Sequence, residues 1–175
     1  MKKNAFVSFI AGIFLVAALV GIDQWSKYLA AVYLKNQPNY VIWKNVFELE
    51  YLENRGAAFG MLQGKKILFL VITVIFILVI CRLYLRIPDG KRYYWLRGSF
   101  LFLLAGAVGN MIDRIRLDYV IDFFSFTLIH FPVFNVADIY VSVTCVILFI
   151  LILFYYREDE LSRIFFKKRN NNKTT

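Results

Sequence analysis

One histidine and two cysteines in 175 residues leave little material for several classes of chemistry. A zinc site needs three or four N, S or O ligands, and His130 stands alone with no cluster of thiols anywhere in the chain. His130 reads as a satisfied or interfacial side chain. Cys81 and Cys145 fall inside apolar stretches, where neither redox compartment nor spacing argues for a disulfide, and they read as small core residues. Charge is scarce too, at 19% of residues, and lopsided, with 21 Lys and Arg against 12 Asp and Glu. A small-residue cleavage site is missing after the first apolar run, so Lys2-Lys3 and the run behind them are expected to be a retained span and not a removed leader.

What is abundant is apolar surface. A hydrophobic fraction of 60%, with 18% aromatics, exceeds what a soluble domain of this length carries. Four stretches approach the roughly 20 residues a helix needs to cross a hydrocarbon core: 5–21, 67–85, 96–112 and 139–156. Arg82 would snorkel to a surface, with Tyr93, Tyr94, Trp95, Tyr155 and Tyr156 at the interface. Thirteen of the 21 basic residues fall on one side, in the N-terminus, the middle loop and the tail. That excess predicts cytoplasmic termini, with segments 35–66 and 113–137 facing outward. Anionic headgroups account for the net charge of +9, and no nucleic-acid partner is expected, because the tail from Lys167 has no aromatic or helical repeat for readout.

Between the first two spans, Phe47, Leu49 and Tyr51 alternate with Glu48 and Glu50, the period of a strand. Tyr40–Trp43 and a Lys44-Asn45 turn would complete a small sheet on the outer membrane surface. The small residues of Arg55-Gly56-Ala57-Ala58-Phe59-Gly60 permit close backbone approach, to a ligand or simply to a neighbouring helix. The fold class predicted is an all-α membrane protein of four transmembrane helices with a small outer β element. One domain is expected over residues 1–166, its β-rich part near 35–64, followed by a basic, disordered tail at 167–175.

Polar residues at membrane depth are costly and are retained mostly where they do something. Asp23, Asn54, Asn110, Asp113, Asp122, Asn135 and Asp138 all map to the same, outer side. Asn110 and Asp113 share a helix face, and Asn135 and Asp138 repeat that spacing. Plainer readings exist: Asn135 as a helix N-cap with Asp138 at N3, Asp113-Arg114 as an interfacial ion pair, and Asp23 with Lys27 as an i,i+4 salt bridge. The salt bridge is the stronger reading for that last pair.

Two carboxylates brought close cannot both ionise cheaply, so they share a proton; one becomes a base while the other stays an acid. That suits hydrolysis by an activated water, and Asp122 and Asp138 are the candidates. Ser26 and Lys27 are adjacent on a helix and diverge by about 100°, which disfavours a Ser/Lys dyad. Cys81 has no histidine nearby. Oxygen ligation of Mg²⁺ or Ca²⁺ by the aspartates stays open, as does a small proton- or cation-coupled carrier, although four spans without evident inverted repeats argue against the latter. A scaffold with structural polar clamps is the third option.

Five pieces in register resemble the lipoprotein signal peptidase (signal peptidase II) family: Asp23-Gln24-Trp25-Ser26-Lys27, Asn54-Arg55-Gly56-Ala57-Ala58-Phe59, Gly109-Asn110-Met111-Ile112-Asp113-Arg114, Val120-Ile121-Asp122-Phe123 and Phe134-Asn135-Val136-Ala137-Asp138. The resemblance implies four spans, an extracytoplasmic β-cradle, and an aspartic endopeptidase in the bacterial cytoplasmic membrane that cuts diacylglyceryl-modified prolipoproteins before the lipidated cysteine. It assigns Asp122 and Asp138 as the catalytic pair, Asn54, Asn110, Arg114 and Asn135 as pocket residues, and Asp23, Lys27, Gly56 and Asp113 as supporting or substrate-contacting positions. No metal or cofactor is implied. Prolipoprotein and membrane lipid are the expected partners, cyclic peptide antibiotics of the globomycin type the expected inhibitors, and a monomer the expected state. Phe123, Phe124, Phe126, Phe131 and Phe134 would flank an acyl chain or, more simply, form an interface belt.

Overall fold

The structure, a computed structural model, describes residues 3–56 and 65–165, with side chains from Val7 onward. The segment from Ala57 to Gly60 and the basic tail from Lys167 lie outside the described residues. The chain runs α1 (Lys3–Tyr33), β1 (Tyr40–Trp43), β2 (Phe47–Asn54), α2 (Lys66–Tyr84), α3 (Tyr94–Leu117), β3 (Val120–Ser125), α4 (Val136–Ile150) and α5 (Glu158–Phe165). Among the described residues four helical segments are long and apolar enough to cross a membrane: Val7–Tyr33, Lys66–Tyr84, Lys91–Leu117 and Val136–Tyr155. The last includes a π-helical turn, Leu151–Tyr155, that extends α4.

The four expected spans are all present, and the largest departure is α1. The apolar run ends at Gly21 and the helix carries the Asp23–Lys27 pair as expected, but it then continues to Tyr33. Apolarity stops at the first charge, but Asp23 and Lys27 are buried inside the bundle and pair with each other, so lipid never meets them. In α2, by contrast, Ile80 is the one buried residue, and an all-round apolar helix is what a lipid-facing span requires. Cys145 is exposed on α4 and not a core residue, while Cys81 is half-buried.

The centre of the bundle is α3, which packs against α1, α2 and α4. Its buried face includes Ser99, Ala105, Gly106 and Gly109, small enough to bring backbones together where lipid offers no hydrophobic drive for helix association. A Cβ on Gly106 would lie 2.6 Å from the Ala137 carbonyl oxygen, so α3 and α4 touch through backbone there.

At one end of the bundle Arg92 pairs with Glu160 at 2.6 Å and lies 4.8 Å over the Tyr155 ring, while Tyr93 and Tyr156 stack at 5.7 Å. This clasp holds α5, a helix additional to the four expected spans, with Ile164 fully buried in the cluster of Ile80, Leu96, Phe100 and Leu151. Glu160 is held down to about 2 chiefly by the Arg92 guanidinium.

At the opposite end sits an antiparallel sheet of order β1-β2-β3. The β1–β2 hairpin forms as expected, with Asn45 at φ +60 in its turn. A third strand joins it from the outward segment 113–137, for which the sequence predicts no strand: Val-Ile-Asp-Phe-Phe-Ser pairs with β2 from Glu48–Ser125 to Asn54–Val120. Ala30, Ile121 and Phe123 form the buried core under this sheet, with Leu34, Leu49 and Val136 around them.

Candidate active site

Strand β3 exists because its β-branched and aromatic residues bury both faces, and its pairing puts Asp122 opposite Leu52. Asn54 is then the diagonal neighbour of Asp122 on the same face, and its Nδ2 donates to Asp122 at 2.9 Å. After β3 the chain turns back so that Phe124 and Phe134 exchange backbone hydrogen bonds of 2.8 and 3.0 Å. That bridge sets the next residue, Asn135, against Asp122. The phenylalanines of this loop pack on one another and on Phe47, with Phe47–Phe126 centroids 4.8 Å apart and Phe124–Phe134 at 5.6 Å, while Phe126 and Phe131 stay exposed. Their rings clamp the bridge.

Asn135 caps α4. Its Oδ1 accepts from the Asp138 N–H at 3.0 Å, and the Asp138 carboxylate accepts from the Asn135 N–H at 3.1 Å, closing a capping box. The plain capping reading and the polar-pocket reading are therefore both correct. Asn135 Nδ2 points away from the helix and donates to Asp122 at 2.6 Å. Asn110 Nδ2 donates to Asp138 at 2.8 Å, and Asn110 Oδ1 accepts from Asn135 Nδ2 at 3.2 Å. Asp122, Asn135, Asn110 and Asp138 thus form one chain of contacts.

All three asparagines have their oxygens occupied by donors: Asn54 by the Gly56 N–H at 3.0 Å, Asn135 by the Asp138 N–H, Asn110 by Lys27 Nζ at 2.8 Å. Each NH2 group is left facing a carboxylate, because an amide presents its donors opposite its acceptor.

Behind this layer lies a buried ion cluster. Lys27, 2% exposed, sits 2.9 Å from Asp23 and 3.0 Å from Asp113. The expected i,i+4 salt bridge is real but is half of a three-charge group, and Asp113 pairs with Lys27 and not with Arg114. Asp23 Oδ1 accepts from the Ala137 N–H at 2.9 Å, and Asp113 Oδ2 from the Ile121 N–H at 3.2 Å. Each carboxylate grips the residue preceding one of the two candidate aspartates. Removing one partner of such a buried group costs about 3–5 kcal/mol. Gln24 completes it, donating to Asp113 at 2.8 Å and to the Gly109 carbonyl at 3.2 Å. Gln24 is a site residue beyond those expected, and its place between Asp23 and Lys27 is the one signal of it in the sequence.

Arg114 lies further out, donating to the Gly56 carbonyl at 3.3 Å and stacking 4.8 Å over Phe69. Asp122, outside the spans, is pushed up to about 7, first by burial and then by the Asp138 charge, against the lowering donors Asn54 and Asn135 and the Lys27 cation. Beside Asp138 an apolar groove of about 410 Å³ opens between Phe131, Pro132, Phe134, Ile139 and Val143. His130 is exposed at the edge of this region, in the left-handed conformation at φ +48.

All ten residues singled out from the sequence therefore converge on one end of the bundle, in two tiers: Asn54, Asn110, Asp122, Asn135 and Asp138 in contact, Asp23, Lys27 and Asp113 behind them, Gly56 and Arg114 at the rim. A four-span membrane protein carrying a pair of amide-bound aspartates at one end, Asp122 buried and Asp138 half-buried, defines the class. Comparison with known proteins supplies the family. The signal peptidase (SPase) II model matches residues 15–154. A lipoprotein signal peptidase of Caldanaerobacter subterraneus subsp. tengcongensis is 47% identical over 137 residues, 78% of this chain and 91% of that one. Another, from Enterococcus faecalis, is 43% identical over 141 residues, 79% and 86% of the two chains. A solved bacterial membrane enzyme, determined by the in meso method at 1.9 Å, superposes with a TM-score of 0.71 and 29% identity over 83% of this chain and 94% of that one. The chain belongs to the signal peptidase II family, and it is a multi-pass membrane protease acting on prolipoproteins. The carrier reading is left without support.

Proposed function

We propose that Asp122 and Asp138 are an aspartic dyad that removes the signal peptide from diacylglyceryl-modified prolipoproteins, cleaving before the lipidated cysteine. The observation that carries this reading is the convergence of two carboxylates, Asp122 buried and Asp138 half-buried, on a single residue, Asn135, whose side chain binds one and whose backbone binds the other. Donors aimed at both, with burial disfavouring double ionisation, leave the pair holding one proton.

With one carboxylate ionised and one protonated, the chemistry is complete in itself. The ionised member takes a proton from water as its oxygen adds to the scissile carbonyl carbon; the protonated member donates to the carbonyl oxygen. Collapse of the tetrahedral adduct breaks the C–N bond, the carbonyl re-forms, and the leaving nitrogen takes up a proton. Water is divided between the two products, and the dyad returns to one proton.

The groove beside Asp138 matches the lipid half of the substrate, since its apolar lining suits an acyl chain close to the reacting carbonyl. The excess of Lys and Arg that the sequence carries in its N-terminus, middle loop and tail supports termini in the cytoplasm and a site near the outer face of the bacterial inner membrane. In that orientation the site lies at the depth where a diacylated precursor meets water. A single chain holds every residue of the site, which supports a monomer, and cyclic peptides of the globomycin type would compete for the same groove.

Replacing Asp122 and Asp138 by Asn, one at a time, tests the reading against cleavage of a diacylglyceryl-modified precursor in detergent, with and without chelator. Each variant should lose at least about 10³-fold in kcat, and chelator should change nothing. Full activity in either variant, or loss on chelation, would remove the dyad.

A further inference from the structure

We propose that Lys27 is a positioning residue for the dyad: by pinning the Asn110 amide with its NH2 group towards Asp138, it places the shared proton on Asp122 and leaves Asp138 to activate water. The inference rests on the dyad reading above.

An ammonium has three donors and no acceptor. Those of Lys27 are all taken, by Asp23 Oδ2 at 2.9 Å, Asp113 Oδ2 at 3.0 Å and Asn110 Oδ1 at 2.8 Å. Asn110 therefore has to offer its oxygen to Lys27, and its NH2 group faces Asp138 Oδ1 at 2.8 Å. With an apolar side chain at 27 the amide oxygen loses its short contact to the cation and keeps only the longer one from Asn135 Nδ2 at 3.2 Å. A flip would then turn its oxygen onto the Asp138 carboxylate, replacing a donor by a repelling lone pair.

The two aspartates are not treated alike. Asp122 receives Asn54 and Asn135, whose oxygens are held by the neutral backbone N–H groups of Gly56 and Asp138. Asp138 receives Asn110, whose oxygen is held by a cation, so the charge of Lys27 polarises that donor through a single amide. Asp138 also occupies the first turn of α4, where the helix dipole favours an anion. The charged and titratable groups around the pair are Asp23 and Lys27 on α1, Asp113 and Arg114 on α3, Asp122 on β3 and Tyr140 on α4. Outside the dyad itself, Lys27 alone of these binds the side-chain oxygen of an amide that donates to the dyad.

The test is a double-mutant cycle of Lys27→Met and Asn110→Leu, read as the pH dependence of kcat for a lipid-modified precursor in detergent. Lys27→Met should move the ascending limb up by about one pH unit and lower kcat below that limb about tenfold, with KM within about twofold of wild type. Added to Asn110→Leu, it should move the limb no further. A wild-type limb in Lys27→Met, or strictly additive shifts, would overturn the inference. Should Lys27→Met fail to accumulate, Asp23→Asn with Lys27→Met removes one charge of each sign and is compared with Asp23→Asn alone, which keeps the Asn110 clamp. The same limb shift is expected in the pair and not in the single variant; identical profiles overturn it. Asp138→Asn separates the two levels: retained activity there sinks the dyad itself, whereas an inactive Asp138→Asn beside unshifted Lys27 variants sinks only the role given to Lys27.

Discussion

Asn135 and Asp138 hold each other through both of their polar ends, with the Asp138 N–H donating to Asn135 Oδ1 at 3.0 Å and the Asn135 N–H donating to the Asp138 carboxylate at 3.1 Å. The cap that starts α4 is thus also the hinge of the polar site. Because the helix consumes the amide oxygen, the amide NH2 has one direction left, towards Asp122 at 2.6 Å.

Asn135→Ser separates these two duties. Serine caps a helix about as well as asparagine, so the loss in thermal stability should stay near 1 kcal/mol, but its side chain is too short to donate to Asp122. We expect kcat to fall about 100-fold with the helix intact. A serine variant with wild-type kcat would mean that the Asn135 donor to Asp122 is dispensable.

The Asp122 carboxyl, pushed up to about 7 by burial and by Asp138, must hold its proton to polarise a carbonyl. Activity should therefore decline as pH rises beyond about 7, by about tenfold for each further unit. Asn54 lowers that value by donating to the ionised form, so Asn54→Ala should carry the declining limb to higher pH. Steady-state cleavage rates across pH 5 to 9, about two units either side of that value, read both.

The same displacement has a stability consequence of definite sign. An Asp in the unfolded chain ionises near about 3.9, while the folded Asp122 holds on until about 7. Folding is thus unpenalised below pH about 4, loses ground steadily between the two values, and carries a constant penalty above the upper one. Asp122→Asn removes that penalty. Its melting temperature relative to wild type should climb as pH is raised through this window and then level off; a flat or falling difference would contradict the buried, proton-holding carboxyl.

Gly106 is where α3 and α4 come closest. An added Cβ would meet the Ala137 carbonyl oxygen at 2.6 Å and Val141 Cγ2 at 2.8 Å, and backbone cannot swing aside. Gly106→Ala should cost about 1–3 kcal/mol and, by pushing Asp138 off its alignment with Asp122, about 100-fold in kcat. Gly98→Ala on the same helix is the control, since nothing lies within 4 Å of its Cβ. It should leave kcat unchanged and raise stability by about 0.5–1 kcal/mol.

Much of this molecule was legible in one dimension. Spans announce themselves because lipid tolerates only helices with apolar exteriors, so α2, which faces lipid on nearly every side, was found to within a residue of its start and end. The β1–β2 hairpin was visible in the alternation around Leu49 and the Asn45 turn. The site residues stood out individually as polar groups where polarity is expensive.

Other features depended on partners far along the chain. Lys27 lies buried inside the bundle because Asp113 and Asn110, more than 80 positions away, neutralise and bind it. Strand β3 forms because β2 offers an edge to residues otherwise read as loop. Sequence alone settled the solvent, the number of spans and which side chains were too costly to be idle, since each follows from the residue's own transfer free energy. Only the tertiary structure decided that Lys27 would hold two aspartates and an amide, and that Asn135 would join Asp122 to Asp138, because hydrogen bonds and ion pairs depend on distances of about 3 Å that no spacing along the chain encodes.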